Sequence, residues 1–292
     1  MRSLIRLRVP EISTLVLFVL SSLFAIFLAT ILIQQNAGFS NTTPTTGIST
    51  VLVYMVFAIA VTFFILYLAK KKKMRIMRAI FLFLIIYVVF YVFLIVGTVI
   101  ANTYLQYYII IIAAPLIYAY FLIFRNNWFV TNLAGFFLSA GVSAIWGVIV
   151  GIWAAVIFLI AFAVYDYISV YKTKHMVSLA EVAINESLPL LFVMPTKRGV
   201  KLEDVRIDQE GERRALMLGF GDVALPSIMV VSSAMFGRDH MIWFILLPLL
   251  GGIIGMILLF SDLVKKPAPG LPFINSGVIL GFLAAYLMFN VF

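Results

Sequence analysis

The chain has 292 residues, 64% of them hydrophobic, and a formal net charge of +9. Water-soluble domains are about half apolar, so this composition excludes a soluble globule and implies a protein that lives in a bilayer. Cysteine is absent, which excludes disulfides, a thiol nucleophile and a thiolate metal site.

A bilayer crossing needs roughly 20 apolar residues, and nine such runs follow one another along the chain. The first, 12–33, has a basic start but is longer than a signal-peptide core, so it is expected to be retained. Asn41-Thr42-Thr43 behind it spells a glycosylation sequon, a triplet common by chance. Runs two to four are 49–69, 79–100 and 104–124. Residues 128–171 carry no charge until Asp166 and are twice a helix length. They are split near Gly147–Gly151, between Trp146 and Trp153 as interfacial anchors, into spans 128–148 and 150–171. A polar stretch from Lys172 to Arg214 follows. Inside it, the apolar patch Leu188–Pro195 is too short to cross and is expected to pack back on the bundle. Spans seven to nine are 215–236, 241–260 and 272–291. The expected organisation is a six-helix part (1–171), an inner-side hydrophilic loop (172–214) and a three-helix part (215–292), an all-α polytopic membrane protein.

Nine spans place 20 of the 21 basic residues on one side, with only Arg238 opposite. The positive-inside rule then puts the N-terminus inside and the C-terminus outside a cell membrane. The basic excess is therefore an orientation signal that attracts anionic lipid head groups, not a nucleic-acid site. Small residues recur at spacing four: Gly135, Ser139 and Ser143, then Gly251 and Gly255, then Gly277 and Gly281. Such ladders let helices pack closely in lipid. Pro115, Pro226 and Pro248 are expected kinks, and Pro226 lies four residues after Asp222.

Of twelve acidic residues, only Asp166 and Asp222 lie inside apolar runs. An acid at lipid depth is costly and marks function by default. If both runs are helical, Asp166 lies roughly 9 Å from Lys172 and Asp222 roughly 12 Å from Arg214, at similar depth on antiparallel helices. Facing one another in a poorly solvated site, two carboxyls cannot easily both ionise and share a proton. That is aspartic-protease chemistry: one carboxylate takes a proton from water while the other polarises the carbonyl. His175 and His240 lie outside the spans, which removes a His-based metal site and a Ser–His dyad. A proteolytic pair and a proton- or cation-handling pair of a channel or carrier both remain open.

Tyr165-Asp166 and Gly219-Phe220-Gly221-Asp222 resemble the Tyr-Asp and Gly-x-Gly-Asp signatures of presenilins and signal peptide peptidases. The order of the motifs, nine spans and the long loop between them fit the same family, and the size looks closest to its archaeal members. The family's third element, Pro-Ala-Leu, is matched by Pro269-Gly270-Leu271 ahead of Pro272, with glycine in place of alanine. The resemblance implies a presenilin-like fold of nine transmembrane helices and an intramembrane aspartyl endopeptidase. Asp166 and Asp222 would be catalytic, and Tyr165, Gly219, Phe220, Gly221, Pro269, Gly270, Leu271 and Pro272 would shape the site. It implies transmembrane-helix or signal-peptide substrates, no metal or organic cofactor, and compatibility with a homo-oligomer. Gly219 and Gly221 leave room beside Asp222, and Pro269 and Pro272 are expected to keep the inner end of span nine extended. By the same likeness, that segment would line the site and pair with an unwound substrate strand. Asn275 and Ser276 would bond freed backbone groups or a neighbouring helix.

Overall fold

The computed structural model describes residues 8–35, isolated positions between 53 and 73, and residues 74–125, 127–172, 189–195, 215–261 and 269–290. Among them run eight helices: α1 Val9–Gln34, α2 Met74–Ile100, α3 Tyr104–Phe124, α4 Trp128–Ile149, α5 Ile152–Tyr171, α6 Phe220–Phe236, α7 Met241–Phe260 and α8 Gly270–Asn290. Seven are long and apolar enough to cross a membrane; α6, at 17 residues, is shorter. The expected second span, 49–69, lies outside the described residues apart from Val53, Ala60, Phe64, Tyr67 and Leu68, which are helical. The sequon and most of the polar loop also lie outside them.

The split in the long uncharged run falls where expected. Helix α4 ends at Ile149, Val150 is extended, and Gly151 is the N-cap of α5. Trp146 stacks on Phe158, and Trp153 meets Phe282 and Tyr286 edge-on. The two tryptophans therefore pin the turn to its neighbours.

Two expectations about backbone are corrected. Residues 215–219, read as the start of a helix, form strand β2 (Ala215–Gly219), antiparallel to β1 (Leu191–Pro195), with Val193 opposite Met217. Proline and glycine at the strand ends disfavour helix, and pairing satisfies the backbone instead. The helical depth estimate for Asp222 therefore fails, since a strand rises about 3.3 Å per residue against 1.5 Å in a helix. The second correction concerns Gly270-Leu271-Pro272, which was expected to be extended and is the first turn of α8. Proline is tolerated there because a first-turn N–H has no helical partner anyway; Pro269 alone stays outside the helix.

The described part of the expected patch, 189–195, packs back on the bundle, as expected: β1 lies against α4 and α1, and Phe192 is fully buried. Helix α6 is the hub, packing on α1, α4, α5, α7 and α8. Its serines and those of its neighbours bond across helices. Ser143 donates to the Ala224 carbonyl (2.8 Å), Ser139 to the Phe220 carbonyl (3.4 Å), Ser232 to the Val150 carbonyl (2.9 Å), and Ser22 pairs with Ser227 (2.8 Å). Interhelical bonds of this kind average about 0.6 kcal/mol in membranes. Ser143→Ala is expected to lower stability by about that amount, read as a small fall in the unfolding midpoint in detergent.

Candidate active site

Asp222 stands in the first turn of α6, immediately after β2. The strand delivers the chain to Gly219, the N-cap, and the Phe220 N–H bonds the Leu190 carbonyl (3.1 Å), so the helix starts at a fixed point of the hairpin. The Asp222 carboxylate reaches back to accept from the Gly219 N–H (3.2 Å), a standard way to satisfy an orphan donor at a helix start. Gly219 has an ordinary backbone, φ −62° and ψ 142°, so its need for glycine is spatial: a Cβ there would lie 3.1 Å from Asp222 Oδ2. At Gly221 a Cβ would meet nothing within 4 Å, and the residue is exposed. Among the described residues there is open space at Gly221, next to the half-buried Asp222. Pro226, four residues on, has no N–H to give the Asp222 carbonyl.

Asp166 comes from the last two turns of α5 and is buried. Its Oδ2 accepts from the Leu271 N–H (3.2 Å) at the start of α8. Asp166 thus caps α8 from another helix. The neighbouring Gly270 lies against Asp222: a Cβ on it would sit 3.2 Å from the carboxyl carbon and 3.3 Å from both oxygens. Both carboxyls therefore abut the same peptide unit, Gly270–Leu271, and they lie within electrostatic reach of each other. Each also faces a helix N-terminus, the end bearing partial positive charge. The glycine that departs from Pro-Ala-Leu has a local reason: alanine at 270 requires the Asp222 carboxyl to move by a few tenths of an ångström.

The remaining expected site residues fall as follows. Tyr165 packs its ring on Phe162 (6.3 Å). Phe220 is buried with its ring 4.7 Å from Phe192. Pro269 and Leu271 are buried and Pro272 half-buried at the entry of α8. Asn275 makes a helix–helix bond, donating to the Leu159 carbonyl of α5 (3.0 Å), while Ser276 bonds the Pro272 carbonyl within its own helix. Among the described residues no group of three or more His, Asp or Glu side chains is placed to hold a metal ion. Sequence reading missed Asn132 of α4, whose amide bonds both backbone groups of Val193. A lone amide inside an apolar helix is the signal that points to it.

The fold has close counterparts. Two crystal forms of a presenilin family intramembrane aspartate protease superpose with TM-scores of 0.71 (C222 space group) and 0.68 (P2), each at 24% identity. They cover 96% and 97% of this chain and all of the other. At that identity the likeness speaks for the fold. No curated protein matches the sequence. The sequence profile described as signal-peptide peptidase, presenilin aspartyl protease matches residues 15–291. A match of that length, over a bundle that brings both motif aspartates to one peptide unit, leaves one assignment: the chain belongs to the signal-peptide peptidase and presenilin family of aspartyl proteases.

Proposed function

We propose that Asp166 and Asp222 are the catalytic pair of this intramembrane protease. The observation that carries the reading is the convergence of both carboxyls on Gly270–Leu271. In the proposed step, one carboxylate takes a proton from water and the other, protonated, donates to the scissile carbonyl oxygen. The hydroxide adds to the carbonyl carbon. The proton then passes to the amide nitrogen, the C–N bond breaks, and a new carboxyl and amine terminus leave.

The substrates of this reading are transmembrane segments or signal-peptide remnants. A helical substrate hides its peptide bonds, so it unwinds before attack. The hairpin offers a place for the freed strand. The bond from Phe220 to Leu190 and the register make 192/218 and 194/216 hydrogen-bonded pairs, because bonded and non-bonded pairs alternate. The N–H and C=O of Met217 therefore point away from β1, along an edge that leads straight to Asp222. Strand addition at such an edge is a common way to hold peptides. Nine spans, with the N-terminus inside and the C-terminus outside, agree with the helical residues described between Val53 and Leu68 and with the basic excess on one side. On this reading 172–214 is an inner-side loop joining the six-helix and three-helix parts, with anionic lipid as its neighbour.

Cleavage of a single-span peptide by the purified chain in detergent, with products identified by mass, tests the reading. A pair that holds one proton between its members is inactive when both are protonated and when both are ionised. The rate is expected to peak at an intermediate pH and fall on both sides. A rate that rises monotonically across the range would contradict a shared-proton pair.

A further inference from the structure

Asn132 lies in the second turn of α4 and is only 8% exposed. Its Nδ2 donates to the Val193 carbonyl and its Oδ1 accepts from the Val193 N–H, both at 2.8 Å. Nδ2 also lies 3.8 Å from the Met194 sulfur, and none of these partners is titratable. One donor and one acceptor meeting both groups of a single strand residue is the pattern a neighbouring strand would present.

The pairing parity explains why Val193 receives it. Val193 and Met217 are a non-bonded pair, so the backbone groups of Val193 point out of the sheet on the β1 side. Val193 is buried, where unpaired backbone groups are costly, and the Asn132 amide satisfies both. One turn along α4, the space beside Gly135 is filled by the Phe192 and Phe220 rings; a Cβ there would lie 2.5 Å and 2.4 Å from them. Helix α4 thus holds the hairpin by an amide and by a notch. From the hairpin the chain runs through Gly219 to Asp222, which bonds back to Gly219.

We infer that Asn132 is a positioning residue for peptide hydrolysis: its amide acts as a surrogate third strand that holds β1, and through it β2 and Asp222, while closing the β1 edge. Among the described residues, the unpaired edge is then that of β2. This inference rests on the reading of Asp166 and Asp222 as the catalytic pair.

Two variants of the full chain in detergent test it. Asn132→Leu keeps the branched heavy-atom shape and removes both bonds. Its kcat is expected to fall about 10- to 100-fold, the scale of a small misplacement of a reacting group, at temperatures where the helices remain intact. Amide hydrogen exchange over 191–195 and 215–219 is expected to accelerate about tenfold or more, as local opening becomes easier. Asn132→Asp separates positioning from mere stability. The neutral acid keeps one donor and one acceptor, whereas the ionised form has only acceptors and faces the Val193 carbonyl. Its kcat relative to the parent chain is therefore expected to stay near unity in acid and to fall as pH rises. A purely structural role would lower the melting temperature and leave the kcat ratio of folded enzyme independent of pH; that result overturns the inference. Unchanged hairpin exchange in Asn132→Leu overturns it as well. If the parent chain cleaves no peptide, the catalytic reading fails, and the exchange contrast still decides the clamp.

Discussion

Asp166→Asn and Asp222→Asn are each expected to lower cleavage of a single-span peptide by about 10³-fold or more, within the range attributed to a positioned acid or base. Asparagine has nearly the same shape and keeps a side-chain carbonyl. At 166 it can still accept from the Leu271 N–H, and at 222 from the Gly219 N–H, the two bonds the aspartates make here. The caps of α8 and α6 therefore survive, and the unfolding midpoint is expected to stay close to that of the parent. What the amide loses is the ability to take up or release a proton. Rate and midpoint measured on the same preparations separate chemistry from folding. Either variant cleaving at near-parent rate would remove that residue from the catalytic pair.

Gly277→Val is expected to destabilise the bundle by about 3 kcal/mol, the upper part of the usual overpacking range, and to take most of the activity with it. A Cβ on Gly277 would lie 2.1 Å from the Gly251 carbonyl oxygen, and one on Gly251 would lie 2.0 Å from the Gly277 carbonyl oxygen. Gly281 faces the Leu247 carbonyl at 2.1 Å, and Gly255 faces that of Phe273 at 2.4 Å. These obstacles are backbone, so no side-chain rotation relieves them, and α7 and α8 must separate. Helix α8 also carries Gly270 and Leu271, so its displacement draws the Leu271 N–H away from Asp166. Gly151→Ser is the contrast. Nothing lies within 4 Å of a Cβ there, serine is a good N-cap, and the unfolding midpoint is expected to hold. A stable, active Gly277→Val would show that the two helices are not in backbone contact.

The ladder of small residues was legible before the fold because its cause is local. A helix that must approach another backbone to backbone repeats its small side chains every turn. Gly251, Gly255, Gly277 and Gly281 do this along one interface. The split between α4 and α5 was legible for a similar reason, since no helix in a bilayer needs 44 residues. Backbone at 215–219 was not. Ala-Leu-Met-Leu-Gly is apolar and helix-compatible in isolation, and it becomes a strand because Leu191–Pro195 is there to pair with it. Gly270–Pro272 misled in the opposite direction. Its proline argues against helix only in an interior, and Pro272 falls in the first turn, where a missing N–H costs nothing.

Composition and motif order by themselves determined a membrane-embedded helical bundle, its two acids inside apolar runs and the motifs around them. These properties are summed along the chain, so they need no knowledge of neighbours. Only the tertiary structure decided that Asp166 caps a helix through Leu271, 105 residues later, that Gly270 presses on Asp222, and that Asn132 grips a strand at Val193, 61 residues away. Each is a hydrogen bond or steric contact between groups distant in sequence. Its existence depends on which faces the packing turns toward each other, a quantity no local pattern encodes.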